Sequence, residues 1–147
     1  MNGLGIISNS DIRVSAGGLD DSKQRMIIKS NGDVGIGTPT PDEKLTVNGA
    51  IHGEEVRVDV NVPDVPDYVF EKDYKLLSLS DLERYIVLNK HLPEVPSALE
   101  MEAEGLKLKE MNLILLKKVE ELSLYMIELK KEIELLKDEK VDDKSIR

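Results

Sequence analysis

From Leu108 to Leu136 the apolar residues recur at alternating spacings of four and three. Asn112, Val119, Met126 and Ile133 fall at heptad position a, and Leu108, Leu115, Leu122, Leu129 and Leu136 at d. The pattern holds for more than four heptads with no internal Gly or Pro. It predicts one long coiled-coil helix over 106–140, roughly 50 Å at about 1.5 Å per residue. Glu132 at g and Lys137 at the following e are placed for an interchain pair, which favours parallel alignment. The same helix is apolar off the seam, at Met111, Leu113, Ile114 and Leu116, then at Leu124, Tyr125 and Ile127. A helix apolar nearly all round is a buried one, so a second cover is expected on its N-terminal half. Asn112 has two readings: a helix-start residue satisfied by that cover or by water, or a polar seam residue that sets register and oligomer state.

Upstream, the period changes. Val56, Val58, Val60 and Val62 alternate with Arg57, Asp59 and Asn61, a strict period of two that predicts a strand with one apolar face. "QRMIIKSNGDVGIG" places two β-prone runs around Asn31-Gly32. "EKLTVNGAIHG" repeats the arrangement, with Asn48-Gly49 between Leu45/Val47 and Ile51. Asn-Gly favours such turns because both residues tolerate positive φ. Residues 1–62 therefore read as short-stranded β structure, with Val56, Val58, Val60 and Val62 as its expected core. Hairpins this small are marginal alone, so other copies of the chain are expected to cover their Val faces.

Between the two regions, Pro63 and Pro66 break the strand pattern. "SLSDLERYIVLNKHL" predicts a short helix, capped by Ser78 or Ser80 and closed by Pro93 and Pro96. "SALEMEAEG" predicts a further turn of helix ending at Gly105. Residues 63–105 thus form a linker and a small helical cap. Tyr68, Phe70, Leu82, Tyr85 and Ile86 are expected to pack on Met111, Leu113, Ile114 and Leu116 of the long helix. Residues 141–147 are expected to be a frayed tail.

Composition narrows the functional classes. Of 147 residues, 3% are aromatic, with one Phe and no Trp, so little large apolar area is available for a monomeric core. The net charge is -9, and no basic block occurs. Nucleic acid and an anionic membrane surface are therefore not expected partners. No apolar run approaches the about 20 residues of a membrane helix. The acidity is concentrated in 63–105, with ten acids against four bases, whereas 106–147 has ten of each.

Catalytic and cofactor chemistry finds little foothold. Gly35-Ile36-Gly37 is followed by Thr40 and by Pro39 and Pro41, which rule out a nucleotide-binding glycine loop that opens a helix. There is no Cys, and His52 and His91 lack metal-ligand spacing. Copies of His52 could meet on a symmetry axis, but an ordinary strand or loop histidine is the preferred reading. Ser10-Asp11 and Ser80-Asp81 fit turn and cap chemistry, and no Ser/His/Asp set is suggested. The acid pairs Asp20-Asp21, Glu54-Glu55 and Glu120-Glu121 read as solvated faces. No catalytic residue, metal or cofactor is assigned.

"NGDVGIGTPTPDEKLTVNG" resembles a repeat of phage tail-fibre and tail-fibre-like proteins. The stretch from "PDYVFEKDYKLLSLSDLERYIVLNKHLPEVPSALE" into the long helix resembles the C-terminal module that follows the repeat in Bacteroidetes bacteria and their phages. Its layout is also similar to the intramolecular chaperone end of endosialidase-type fibres. Together the resemblance spans about residues 24–136, with two unrelated motifs in the right order. It implies an elongated α+β homotrimer, carried on a virion tail or a cell-surface fibre, whose terminal module fixes chain register. The bare heptad favours two strands, since Val119 and Ile133 lie at a with Leu at d. The trimer is preferred because the β segment and cap also contribute to assembly.

Two further functions are expected alternatives: a fibre tip that binds a host receptor or glycan, and a self-cleaving chaperone. Self-cleavage in the endosialidase-type module uses a Ser-Asp start with basic residues nearby. "SDIR" at Ser10–Arg13 and "SDLER" at Ser80–Arg84 match it only in part. Neither stands at the junction near residue 63, so the chain is expected not to cleave itself.

Overall fold

The computed structural model describes residues 10–18, 24–61 and 64–145, with side chains described through Asp138. The chain divides into two compact units, Met1–Val56 and Arg57–Arg147.

The first unit holds a four-stranded sheet in the order β1-β2-β3-β4. The strands are β1 (Ile12–Ser15), β2 (Gln24–Ile28), β3 (Val34–Ile36) and β4 (Leu45–Val47). The predicted Asn31-Gly32 turn joins β2 to β3 antiparallel, pairing Met26 with Ile36 and Ile28 with Val34. Gly32 has φ +87°, and its N–H donates to the Lys29 carbonyl at 2.8 Å. The Asp11 carboxylate braces this turn, accepting from the Ser30 N–H at 3.0 Å and from Lys29 Nζ at 3.3 Å. The Ser10-Asp11 pair therefore contributes to turn architecture.

β4 runs parallel to β3, matching Val34 with Leu45 and Ile36 with Val47. Parallel strands usually need a crossover of about a dozen residues or more, whereas only 37–44 intervene here. The short return is held by the Thr46 hydroxyl, which accepts from the Asp42 and Glu43 N–H groups at 3.1 and 3.2 Å and donates to Asp42 Oδ1 at 2.7 Å. Lys44 reaches back to the Asn31 carbonyl at 3.2 Å and to Asp33. Gly35 is buried at the centre. A side chain there would meet the Thr38 carbonyl oxygen and approach Ile27 Cγ2 to 3.0 Å. Ile27, 1% exposed, is the buried apolar side chain of this unit among the described residues.

The second unit is helical. A 3-10 turn spans Pro66–Phe70, followed by α1 (Leu79–Asn89), α2 (Ala98–Glu104) and α3 (Leu108–Ser145). The capping residues follow the sequence closely. Ser78 caps α1, accepting from the Asp81 N–H, and Ser97 caps α2 in a reciprocal box with Glu100. α3 continues to Ser145, five residues past the expected end at 140, so the helix runs into the tail expected to fray. Ile146 and Arg147 lie outside the described residues.

Two expectations for β structure are corrected. No strand forms over 51–61, so the alternating Val run is not a strand within one chain. Val56, Val58 and Val60 are exposed, Val56 at 76%, and Val62 lies outside the described residues. The physical reason is that a strand needs a neighbour, and the described residues supply none beside that stretch. The expected second hairpin at Asn48-Gly49 is also absent. The Asn48 N–H is taken by the Ile36 carbonyl at 2.9 Å, which extends the parallel pairing instead of folding Ile51 back.

Candidate functional site

α3 has two faces with opposite fates. One is clasped, as far as Tyr125, by the chain that precedes it. The 3-10 turn makes the most extensive contact between helical elements, and its three-residue period sets Pro66 and Val69 on one side. Both are buried, Val69 to 1% exposure. The loop after the turn adds one hydroxyl and one carbonyl to the contact. Tyr74 donates to Glu121 Oε1, and Tyr125, itself buried, donates to the Leu77 carbonyl at 2.8 Å. Burial pushes the Tyr74 and Tyr125 hydroxyls above their ordinary pKa, and Glu121 reinforces both shifts. These phenols stay protonated and remain donors.

The turn after α1 supplies an ionic bridge. Glu94 accepts from Lys117 Nζ at 2.5 Å and from Lys118 Nζ at 2.9 Å, and Lys118 also meets Glu121 at 2.9 Å. Lys117 lies 5.7 and 5.9 Å from the ring centroids of Tyr68 and Tyr74, within cation–π range. Glu94 sits at φ +67° after Pro93, a conformation that favours glycine. The two lysines explain why a carboxylate stands there. Partial burial opposes its charge, but the lysine hydrogen bonds outweigh this and hold Glu94 below the usual carboxylate range. Its contribution is therefore present above the ordinary carboxylate pKa and lost as pH falls through the lowered value.

That geometry gives a prediction. Glu94→Ala and Glu94→Gly both lose the bridge, but only Ala keeps the strain. Glu94→Gly is expected to be the more stable by about 0.5–1 kcal/mol in thermal unfolding. Equal stability would contradict a strained turn held by its ion pairs.

The opposite face of α3 is bare. Leu108, Leu115, Val119, Leu122, Met126, Leu129, Ile133 and Leu136 are all between 42% and 64% exposed. Asn112 is exposed with them, and its Nδ2 donates to its own helix at the Leu108 carbonyl, 2.7 Å away. All nine heptad positions thus lie on one unpartnered stripe of the single chain.

The expected cap-to-helix residues are divided. Met111 and Ile114 are half-buried and line a shallow cleft with Pro96, Glu100 and Glu104. Leu113 lines another with Pro66 and Tyr68, and Leu82 faces Tyr125 across a third. Tyr85 stacks edge-on to His91 at 5.8 Å. Phe70, Ile86 and Leu116 remain exposed, and Tyr68 is exposed apart from its contacts beside α3. The cover on α3 is therefore mainly the 3-10 turn and the loops, while α1 buries none of its residues. Val69, Tyr74 and Glu94 were not singled out in the sequence, and Pro66 was read there only as a strand breaker, not as part of the cover. The signal for Pro66 and Val69 as cover was a Pro at a helical N-terminus with an apolar residue three positions on.

Other candidates take ordinary places. Ser80 lies 3.0 Å from Ser78 in the α1 cap, His52 is exposed, and His91 Nδ1 contacts the Leu92 carbonyl at 2.9 Å. Among the described residues no cluster of three metal-ligating side chains occurs, and no helix is long and apolar enough to cross a membrane. No family model, curated protein or solved structure matches the chain.

Proposed function

We propose that this chain is a structural self-assembly module. Three copies join along the bare stripe of α3, in parallel, and so fix the register of the β segments of a tail-fibre-like protein. The observation that carries this reading is the stripe itself, nine heptad positions exposed along a helix whose other face is clasped as far as Tyr125. Burying the exposed remainder of each apolar side chain contributes on the order of 1 kcal/mol, and eight such side chains act together in every chain. The exposed Val56, Val58 and Val60 add a second apolar row that other copies would cover. Trimer over dimer follows from the resemblance to fibre ends and from that second row. The setting on a virion tail or cell surface rests on the motif resemblance alone.

Parallel register is tested by cross-linking, which the Cys-free sequence makes clean. Met126→Cys, at an a position, is expected to form an interchain disulfide on mild oxidation. Lys131→Cys, on the outer face, is expected to remain largely uncrosslinked. Failure of Met126→Cys to cross-link faster than Lys131→Cys contradicts a parallel, in-register seam.

A further inference from the structure

Among the described residues, one side-chain polar atom is buried without a hydrogen-bond partner: Glu120 Oε2. The residue is 9% exposed and lies on the clasped side of α3. Nearby carboxylates are answered. Glu94 has Lys117 and Lys118, and Glu121 has Tyr74 and Lys118. Lys117, one turn before Glu120, is committed to Glu94. Asp64, just before the 3-10 turn, is paired with Lys109 at 3.6 Å. The charge that acts on Glu120 from the turn packed against α3 is Asp67, of the same sign. Among these facing groups no free cation remains to neutralise it.

A carboxylate with one oxygen buried without a donor, and a like charge acting on it, is costly only while ionised. We propose that the contact between the 3-10 turn and α3 is acid-responsive, with the Glu120 carboxyl as its sensor. The neutral acid leaves no charge on this face of α3. Ionisation returns an unpaired charge to that face and loosens the turn. In support, burial first and Asp67 second hold the carboxyl above its ordinary range. A group whose folded-state pKa is raised contributes stability below its unfolded value, and that contribution is lost as pH rises through the folded value. The clasp is thus tighter in mild acid than at neutral pH, as far as Glu120 is concerned. Glu94 acts in the opposite sense, because it loses its bridge in acid. The sensor lies within one chain, so the inference does not depend on the number of copies in the assembly.

The test is thermal unfolding of the whole chain at fixed protein concentration, from about pH 4 to about pH 8. Glu120→Gln supplies the neutral form permanently. It is expected to raise Tm by about 2–6 °C at neutral pH, with the gap from the unmodified chain closing as pH falls. Asp67→Asn is expected to raise the neutral-pH Tm by a smaller amount, and to add little on top of Glu120→Gln. A Glu120→Gln chain with unchanged or lower Tm at neutral pH overturns the proposal; a lower value would mean that the carboxylate meets a cation, such as one from a second copy. A gap that does not change with pH overturns it too. If Glu120→Gln does not fold, an Asp67→Asn chain with no neutral-pH gain does the same.

Discussion

Leu122→Asp is expected to abolish self-association. Leu122 lies at a d position, is 54% exposed on the single chain, and makes no part of the clasp behind it. In the proposed seam, the substitution buries one carboxylate per chain, side by side, with no cation at the same level. Burying unpaired charge costs several kcal/mol, and every 1.4 kcal/mol is about tenfold in association. Association at least about 100-fold weaker is therefore expected. The β segment should lose order with it, because its strands are short and its Val row has no cover within one chain. Light scattering and far-UV circular dichroism check the two effects separately. Strands that persist in a monomeric Leu122→Asp chain would show that the β segment is independent, and the register-fixing role would fall.

Val69→Asp is expected to open the clasp and spare the seam. Val69 is 1% exposed on the turn that also carries Asp67, which already repels the buried Glu120. A third carboxylate on that contact should cost about 3–5 kcal/mol. The segment from Asp64 to Leu77 should become protease-sensitive, while α3 keeps its helical signal through its own hydrogen bonds and seam. Limited proteolysis with mass spectrometry reads this directly. A cleavage pattern and Tm unchanged by Val69→Asp would mean that the turn does not anchor the helix.

The sequence was most legible where one period holds over a long stretch. Nothing interrupts the α3 heptad, and each of its nine positions falls on the same bare stripe. Ser78 and Ser97 were legible as caps because a cap is local, needing one hydroxyl and one N–H three residues on. The surplus apolar residues of α3 also gave fair notice of a second cover. What supplies the cover was harder to read. Tyr68 and Phe70 were expected there, but a 3-10 turn repeats every three residues and therefore buries Pro66 and Val69 instead.

Long-range pairing was the least legible part. The same dipeptide, Asn-Gly, makes a tight hairpin at 31–32 and none at 48–49. At the first, Gly32 and the Asp11 carboxylate close the turn. At the second, Asn48 is already bound to β3 through the Ile36 carbonyl. The alternating Val run makes the same point. Its period states which face would be buried if a neighbouring strand were present, and the described residues of one chain do not provide that strand.

The central claim is that α3 exists to join copies of this chain. The most direct measurement is molar mass by light scattering of the unmodified chain at low micromolar concentration. The account predicts about 50 kDa, three times the 16.5 kDa of one chain. A folded monomer of about 16.5 kDa would contradict it.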